Sequence, residues 1–272
     1  MVEETISLGM NESSEVRKIS SVDTSCKILK TLQKQNGATV SAISESVGLS
    51  VGAVHTHLAT LREHGLVAKM DQKYWLGPQL VPFGEYVKHQ SDLYRASKKE
   101  IERVAEETGE CVHLIVENNG QSIILYDSFG EDAVGTKFHS ASREKPSNHL
   151  HYHAAGKAIL AHLPSERIHQ IIDEHGLEPM TKNTITDKET LFEQLSEIRS
   201  RGFAYNDEEE LLGLRSVGVP IIANEELRGA ISFSAPVSRL QDEYYHEEIP
   251  DLLKKSANII EINLQTNDLS LE

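Results

Sequence analysis

Cysteine is scarce: the 272-residue chain holds only Cys26 and Cys111. Two cysteines so far apart make neither a disulfide framework nor a cysteine-based zinc site. Long apolar runs are missing, and none approaches the roughly 20 residues that cross a bilayer as a helix. Met1-Val2-Glu3-Glu4 carries acids where a secretory leader would carry bases. These shortages predict a cytoplasmic protein with no membrane partner. Phosphate-cradling loops, dinucleotide fingerprints, nucleophile elbows and paired zinc-hydrolase histidines are missing as well. Ser, His and Asp are plentiful, but no order or spacing singles out a triad. The sequence therefore supports no catalytic residue, no metal and no cofactor.

Basic residues are also short, with 27 Lys and Arg against 42 Asp and Glu and a net charge of −15. Taken whole, that balance argues against a polyanionic partner. The deficit is uneven, however. From Lys18 to Leu80 there are seven basic and four acidic residues, a net +3 that leaves −18 on the remainder. Positive charge is thus concentrated on the segment that would meet phosphates.

What that segment contains is a compact pattern from Thr39 to Leu76. Ala42, Ile43 and Val47 share one helical face, Gly48 suits a left-handed helix end, and Ser50 suits a cap on the next helix. Val54, Leu58 and Leu61 then recur at helical spacing, which leaves Val51, Gly52, His55, Thr56 and Ala59 for the outside. Gly65 closes that helix. Val67–Lys69 and Tyr74–Leu76 read as two strands of a wing. Helix, turn, helix and wing in that order predict a head whose second helix enters the major groove of DNA. The residues expected there are Thr39, Ser50, Val51, Gly52, His55, Thr56, Arg62, Lys69 and Lys73. A helix starting at Ser21-Val22-Asp23, with Cys26, Ile28, Leu29 and Leu32 turned inward, would pack behind the pair.

After Pro78 the chain reads as a helix over 82 to about 90 and another over 91–108. From Cys111 the period changes to two, and Asn118-Asn119-Gly120 marks a hairpin. A third strand over Ala133–His139 and an irregular run from Ser140 to Leu150 follow. Helices are expected over Tyr152–His162, Ser165–His175 and Asp187–Arg201. Strands follow over Phe203–Asp207, Arg215–Ala223 and Leu227–Ser234, and a helix from Asp242 to about Gln265. The whole is an α+β chain with an antiparallel sheet flanked by helices.

Three features of this half invite chemistry. His149, His151 and His153 alternate and would hold a transition metal on one strand face, yet the helix-like Ala154-Ala155-Gly156-Lys157-Ala158 after them splays the rings apart. That small-residue helix start would leave N–H groups open to a carboxylate. Asp207-Glu208-Glu209-Glu210 reads as a solvated acidic loop, with Asn206 or Asp207 free to meet a ligand. Ser232 and Ser234 share one sheet face, either on a pocket wall or at a solvent-facing edge.

The chain resembles the IclR family of transcriptional regulators over about Lys18 to Leu264. The likeness is carried by SSVDTSCKILKTL, AISESVGLSVGAVHTHLATLREHGLV and YWLGPQL, then by HYHAAGKAILAHLP, the run from PMTKNTITDKE to RSVGVPI, and GAISFSAPVSRL. It implies a winged helix–turn–helix domain over 18–80, a linker helix over 81–97 and a GAF-like effector-binding domain over 98–266, with disordered tails over 1–17 and 267–272. It also implies a homodimer or tetramer that binds double-stranded operator DNA and answers to a small organic metabolite. By position, its effector contacts fall on Ala154, Ala155, Asn206, Leu214, Ser216, Ser232 and Ser234. Asn206 stands where the family often has an acid and Ser216 where it often has a cysteine. Two other readings stay open: a small-molecule or metal-dependent enzyme with an appended helical module, and a winged helix that binds protein.

Overall fold

The computed structural model describes residues 17–134 and 149–269. The expected N-terminal tail and the expected third strand with its irregular continuation fall largely outside those residues, while the last helix runs to Leu269, into the tail expected from 267. The chain divides between Gln90 and Ser91 into two compact units.

In the first unit, helix α1 (Ser20–Lys34) buries Ile28 and Leu32 against α2 (Val40–Val47) and α3 (Val51–Glu63). Thr39 Oγ1 accepts the Ala42 amide at 3.3 Å to cap α2, and Gly48, at φ 68°, ends it. Ser50 Oγ accepts the Ala53 amide at 3.3 Å and starts α3. Each cap satisfies an amide that the helix leaves without a carbonyl, a contribution of about 1 kcal/mol. The turn is therefore built as the sequence implies. Strands β1 (Val67–Met70) and β2 (Lys73–Leu76) pair with Met70 opposite Lys73, and Ala38 bridges to Tyr74 on the far side of β2. The Trp75 ring lies so close over Gly37 (φ 84°) that a Cβ there would sit 2.6 Å from it. Glycine is thus needed at 37 for both conformation and space. Helix α4 (Leu80–Gln90) buries none of its residues.

The second unit opens with α5 (Asp92–Thr108), capped by Ser91 and ended by Gly109 at φ 73°. The break at Ser91 falls where the sequence separates a helix over 82 to about 90 from another over 91–108. A five-stranded antiparallel sheet follows, in the order β4 (Gln121–Phe129), β3 (Cys111–Asn118), β7 (Glu226–Pro236), β6 (Leu214–Ala223), β5 (Ala204–Asp207). Asn119 and Gly120 take φ values of 52° and 77° in the β3–β4 turn, the primed geometry that matches strand twist.

A short turn of 3₁₀ helix at Leu150–Tyr152 leads into α6 (Ala154–Leu160), followed by α7 (Ser165–His175) and α8 (Lys188–Arg201). These cover one sheet face through Ile115, Ala204 and Ala230. On the other face, α5 and the last helix α9 (Ile249–Leu269) pack on Val112, Leu114, Val217, Val219, Ile231 and Phe233. One helix starts later than its pattern suggests. His153, not Tyr152, caps α6. The last helical run does begin at Asp242, as expected, and a π turn over Tyr244–Glu248 interrupts it before α9, because Pro250 has no N–H for the His246 carbonyl. That carbonyl accepts the Tyr205 hydroxyl instead, at 3.1 Å.

Candidate DNA-reading face and effector cavity

Within α3 the stripe Val54, Leu58 and Leu61 is buried, while Val51, Gly52, His55, Thr56 and Ala59 are exposed. His57 turns inward, its Nδ1 2.9 Å from Ser25 Oγ on α1, so the helix is held at a fixed angle to the unit. Thr56 Oγ1 donates to the Gly52 carbonyl at 3.2 Å. Its proton is used within the helix, and the face keeps a methyl and acceptor lone pairs. A Cβ built on Gly52 meets nothing within 4 Å. Arg62 is exposed in the last turn, and Lys69 and Lys73 are exposed on the wing, with Lys69 Nζ 5.5 Å from the centre of the Tyr74 ring. Thr39 and Ser50 are already engaged as caps, which makes their part in any interface structural first.

In the second unit, antiparallel register builds a polar wall. Asn206, Ser216 and Ser234 stand opposite one another across β5, β6 and β7, and Gly218, Ser232, His113 and Asp127 form the next row. Paired residues point to the same sheet face, here the one covered by α6. Ser216 Oγ and Ser234 Oγ lie 2.9 Å apart. Gly218 lets α6 rest on the sheet, since a Cβ there would sit 2.5 Å from the Ala155 amide. Between wall and helix lies a cavity of about 40 Å³, lined by His113, Ile115, Ser122, Ile124, His153, Ala154, Glu210, Ser216, Ser232 and Ser234. It has room for about three waters at roughly 10–15 Å³ each.

Of the seven effector contacts expected by position, Ala154, Ser216, Ser232 and Ser234 line this cavity, and Ala155, Asn206 and Leu214 do not. Ala155 is buried where α6 meets β6. Leu214 is buried near the β6 end, opposite Pro236. Fully buried Asn206 shapes the loop that follows it, its Oδ1 accepting the amides of Glu209 at 2.8 Å and Glu210 at 3.4 Å. Asp207 is held by Arg215 at 2.7 Å. Sequence reasoning passed over His113, Ser122, Ile115 and Ile124, whose strand alternation was visible but whose facing partners lie far along the chain.

Two local expectations change, and one open alternative is resolved. The amide of Gly156 is not open to a carboxylate: His153 Nδ1 accepts it at 2.9 Å. That bond leaves the neutral ring's proton on Nε2, which donates to Ser122 Oγ at 2.9 Å. The acidic run is not simply solvated: Glu209 is buried against Lys157, with Nζ to Oε1 at 2.5 Å. Burial pushes the Glu209 carboxyl up and the Lys157 ammonium down, and their mutual attraction opposes both shifts. The serines at 232 and 234 lie on a central strand and are buried. The buried Cys111 thiol is pushed far up by desolvation and stays protonated.

The three histidines go to different partners. His149 Nε2 lies 3.7 Å from Glu178 Oε2, His151 Nε2 donates to the Glu178 carbonyl at 3.1 Å, and His153 spans Gly156 and Ser122. Among the described residues, no three His, Cys, Asp or Glu side chains gather at metal-ligand spacing. Desolvation, with His149 and Lys157 adding to it, pushes buried His151 down to about 4. The folded state thus prefers neutral His151, so its contribution is intact above about pH 6.5 and is lost as pH falls toward 4. Unfolding free energy should drop there by about 1.4 kcal/mol per pH unit, roughly 3 kcal/mol in all. Chemical denaturation of the parent and His151→Gln across this range measures it, and parallel pH profiles would contradict it.

Comparison with known proteins decides what this architecture belongs to. Residues 85–262 match the model of the bacterial transcriptional regulator IclR C-terminal domain, and residues 23–68 match a winged helix-turn-helix DNA-binding model. The chain belongs to the IclR family. It is 39% identical over 254 residues to the protein named Probable HTH-type transcriptional regulator ArcR of Halobacterium salinarum, covering 93% of this chain and 96% of that protein. The solved IclR of Thermotoga maritima is 28% identical with a TM-score of 0.63, over 90% of this chain and 98% of that one. An IclR homologue from Microbacterium hydrocarbonoxydans, solved with 4-hydroxybenzoate, has the same fold at 22% identity, with a TM-score of 0.74 over 90% of this chain and 99% of that one. As an IclR-family member, the chain is a transcriptional regulator with a helix–turn–helix DNA-binding domain and an effector-binding domain, and not an enzyme. None of the helices among the described residues is long and apolar enough to cross a membrane.

Proposed function

We propose that this regulator acts in the cytoplasm as a homodimer or tetramer that binds operator DNA through α3 and the wing, and that a small organic metabolite in the cavity sets its affinity. One observation carries the reading: a polar cavity enclosed in the same chain as a capped, outward-facing recognition helix. The proposed DNA contacts are Val51, Gly52, His55 and Thr56 on α3, with Arg62, Lys69 and Lys73 toward phosphates and Thr39 and Ser50 at the helix starts. The proposed domain limits are 18–80 for the DNA-binding part, 81–97 for the linker and 98–266 for the effector-binding part. Association of copies is supported by α4, where Val81, Phe83, Tyr86 and Val87 are all more than half exposed. A small monomer seldom leaves such a stripe uncovered. The 4-hydroxybenzoate bound by the Microbacterium homologue supports an organic ligand in this domain type.

For the ligand to control DNA binding, it must bind the DNA-competent and DNA-incompetent arrangements with different affinity. Ser234→Leu tests this. Leucine at 234 fills the cavity and removes the bond to Ser216. The variant is expected to bind DNA from upstream of its own gene like the parent, while a screen of small acids, amides and sugars no longer alters that binding. A response equal to the parent's would remove the cavity from the mechanism.

A further inference from the structure

Between Val51 and Thr60, α3 carries no Arg, Lys, Asn, Gln, Asp or Glu. Those are the residue types that hydrogen-bond guanine, adenine and cytosine edges in the major groove. The hydroxyls on the outward face do not replace them. Thr56 Oγ1 donates to the Gly52 carbonyl and Thr60 Oγ1 to the Thr56 carbonyl, each at 3.2 Å. Each threonine thus turns its one polar hydrogen back onto its own helix. Of the two imidazoles, His57 is taken by Ser25 at 2.9 Å, which leaves His55 as the outward side chain of this stretch with a ring N–H to give. What the other exposed residues add to the face is carbon: the Val51 methyls, the Thr56 methyl and the Ala59 Cβ. Gly52, Thr56 and Ala59 follow at spacings of four and three, so they lie along one strip of the helix.

We infer that α3 selects its site through the 5-methyl groups of thymine, met by Val51, Thr56 and Ala59, with His55 as the polar reader beside them. Like the contacts proposed above, this rests on α3 entering the major groove. Thymine is the base whose groove edge ends in a methyl, and apolar side chains are its partners there. Short side chains reach such a methyl only when the helix comes close. Gly52, exposed and one turn before Thr56, adds no Cβ to hold the strip away from the bases. Taking one methyl out of water raises affinity by about fourfold, and contacts of this kind compound. The positions beneath α3 are therefore rich in A·T pairs, and a change there from thymine to cytosine removes a methyl that the helix reads.

The test uses the full chain, the fragment from upstream of its own gene, and the same fragment made with deoxyuridine in place of thymidine. That exchange deletes each 5-methyl and keeps every base-pair hydrogen bond. Anisotropy titrations give four affinities, for the parent and Thr56→Ser on each fragment. Serine keeps the hydroxyl that bonds the Gly52 carbonyl and loses only the methyl. The parent is expected to bind the uracil fragment at least about tenfold more weakly, the product of two or more lost methyl contacts. On the thymine fragment Thr56→Ser should weaken binding by about fourfold, and on the uracil fragment by about twofold or less, since the missing methyl has nothing left to meet. A change in duplex flexibility on uracil substitution weakens both proteins alike and leaves that difference in place. An unchanged thermal midpoint shows that the variant is folded. If the parent prefers its own fragment to unrelated DNA yet binds the thymine and uracil forms equally, or if the Thr56→Ser deficit is the same on both, the inference is overturned while the DNA-reading role of α3 stands. A parent with no preference for its own fragment removes that role, and this inference with it.

Discussion

Lys157→Met should lower the folding stability of the effector unit by about 3–5 kcal/mol, the usual penalty for removing one partner of a buried ion pair. At roughly 2–4 °C per kcal/mol for a unit of this size, the thermal midpoint should fall by about 6–20 °C. Lys157 is fully buried and Glu209 nearly so. In the parent their attraction offsets part of the desolvation of both, and Glu209 Oε2 already lacks a hydrogen-bond partner among the described residues. Methionine fills much of the lysine's volume but leaves the carboxylate alone in an apolar setting. Burial already pushes the Glu209 carboxyl up, and without the ammonium it moves further up. A raised folded-state value means that the lone group favours folding only when protonated. The variant's deficit should therefore grow as pH rises above the ordinary carboxylate range and shrink as pH falls into it. The double replacement Lys157→Met with Glu209→Leu removes both charges and should recover most of the loss. Denaturant melts of parent, single and double variants check this, and a single variant as stable as the parent would contradict it.

Gly52→Ala should move stability and DNA binding in opposite directions. Gly52 lies in the first turn of α3, is exposed, and has open space where a Cβ would go. Alanine reduces the backbone freedom lost on folding, which stabilises a helix by about 0.5–1 kcal/mol. If α3 enters the major groove, its N-terminal residues approach base edges closely. The added methyl then occupies space that the bases require, and affinity should fall by about tenfold or more, at least about 1.4 kcal/mol. A loss of binding without a loss of stability cannot be ascribed to unfolding.

How much of this was legible beforehand follows the range of the forces involved. Caps, turn and stripe in Thr39–Leu76 are set by neighbours within four residues, and Thr39, Gly48 and Ser50 do what their side chains suggest. The Asn119-Gly120 turn is local in the same way. The effector cavity is not local. It forms where register brings β3, β6 and β7 together, so Ser216 meets Ser234 only from 18 positions away along the chain. Lys157 was the plainest available signal, a lone cation among alanines and aliphatics in Ala154-Ala155-Gly156-Lys157-Ala158-Ile159-Leu160. Its partner stands 52 residues away inside a run of acids that composition alone assigns to solvent. For His153 the helix-like residues after it already signalled that its ring parts from those of His149 and His151, but not that the ring caps that helix.

The central claim is that the exposed face of α3 reads DNA. The most direct measurement is a fluorescence-anisotropy titration of the full chain on a fragment from upstream of its own gene, with parent and Gly52→Ala compared at one salt concentration. The expected result is saturable parent binding that outcompetes unrelated DNA, with the alanine variant weaker by about tenfold or more at an equal or higher thermal midpoint. Equal binding by the two proteins, or no preference of the parent for that fragment, would contradict it.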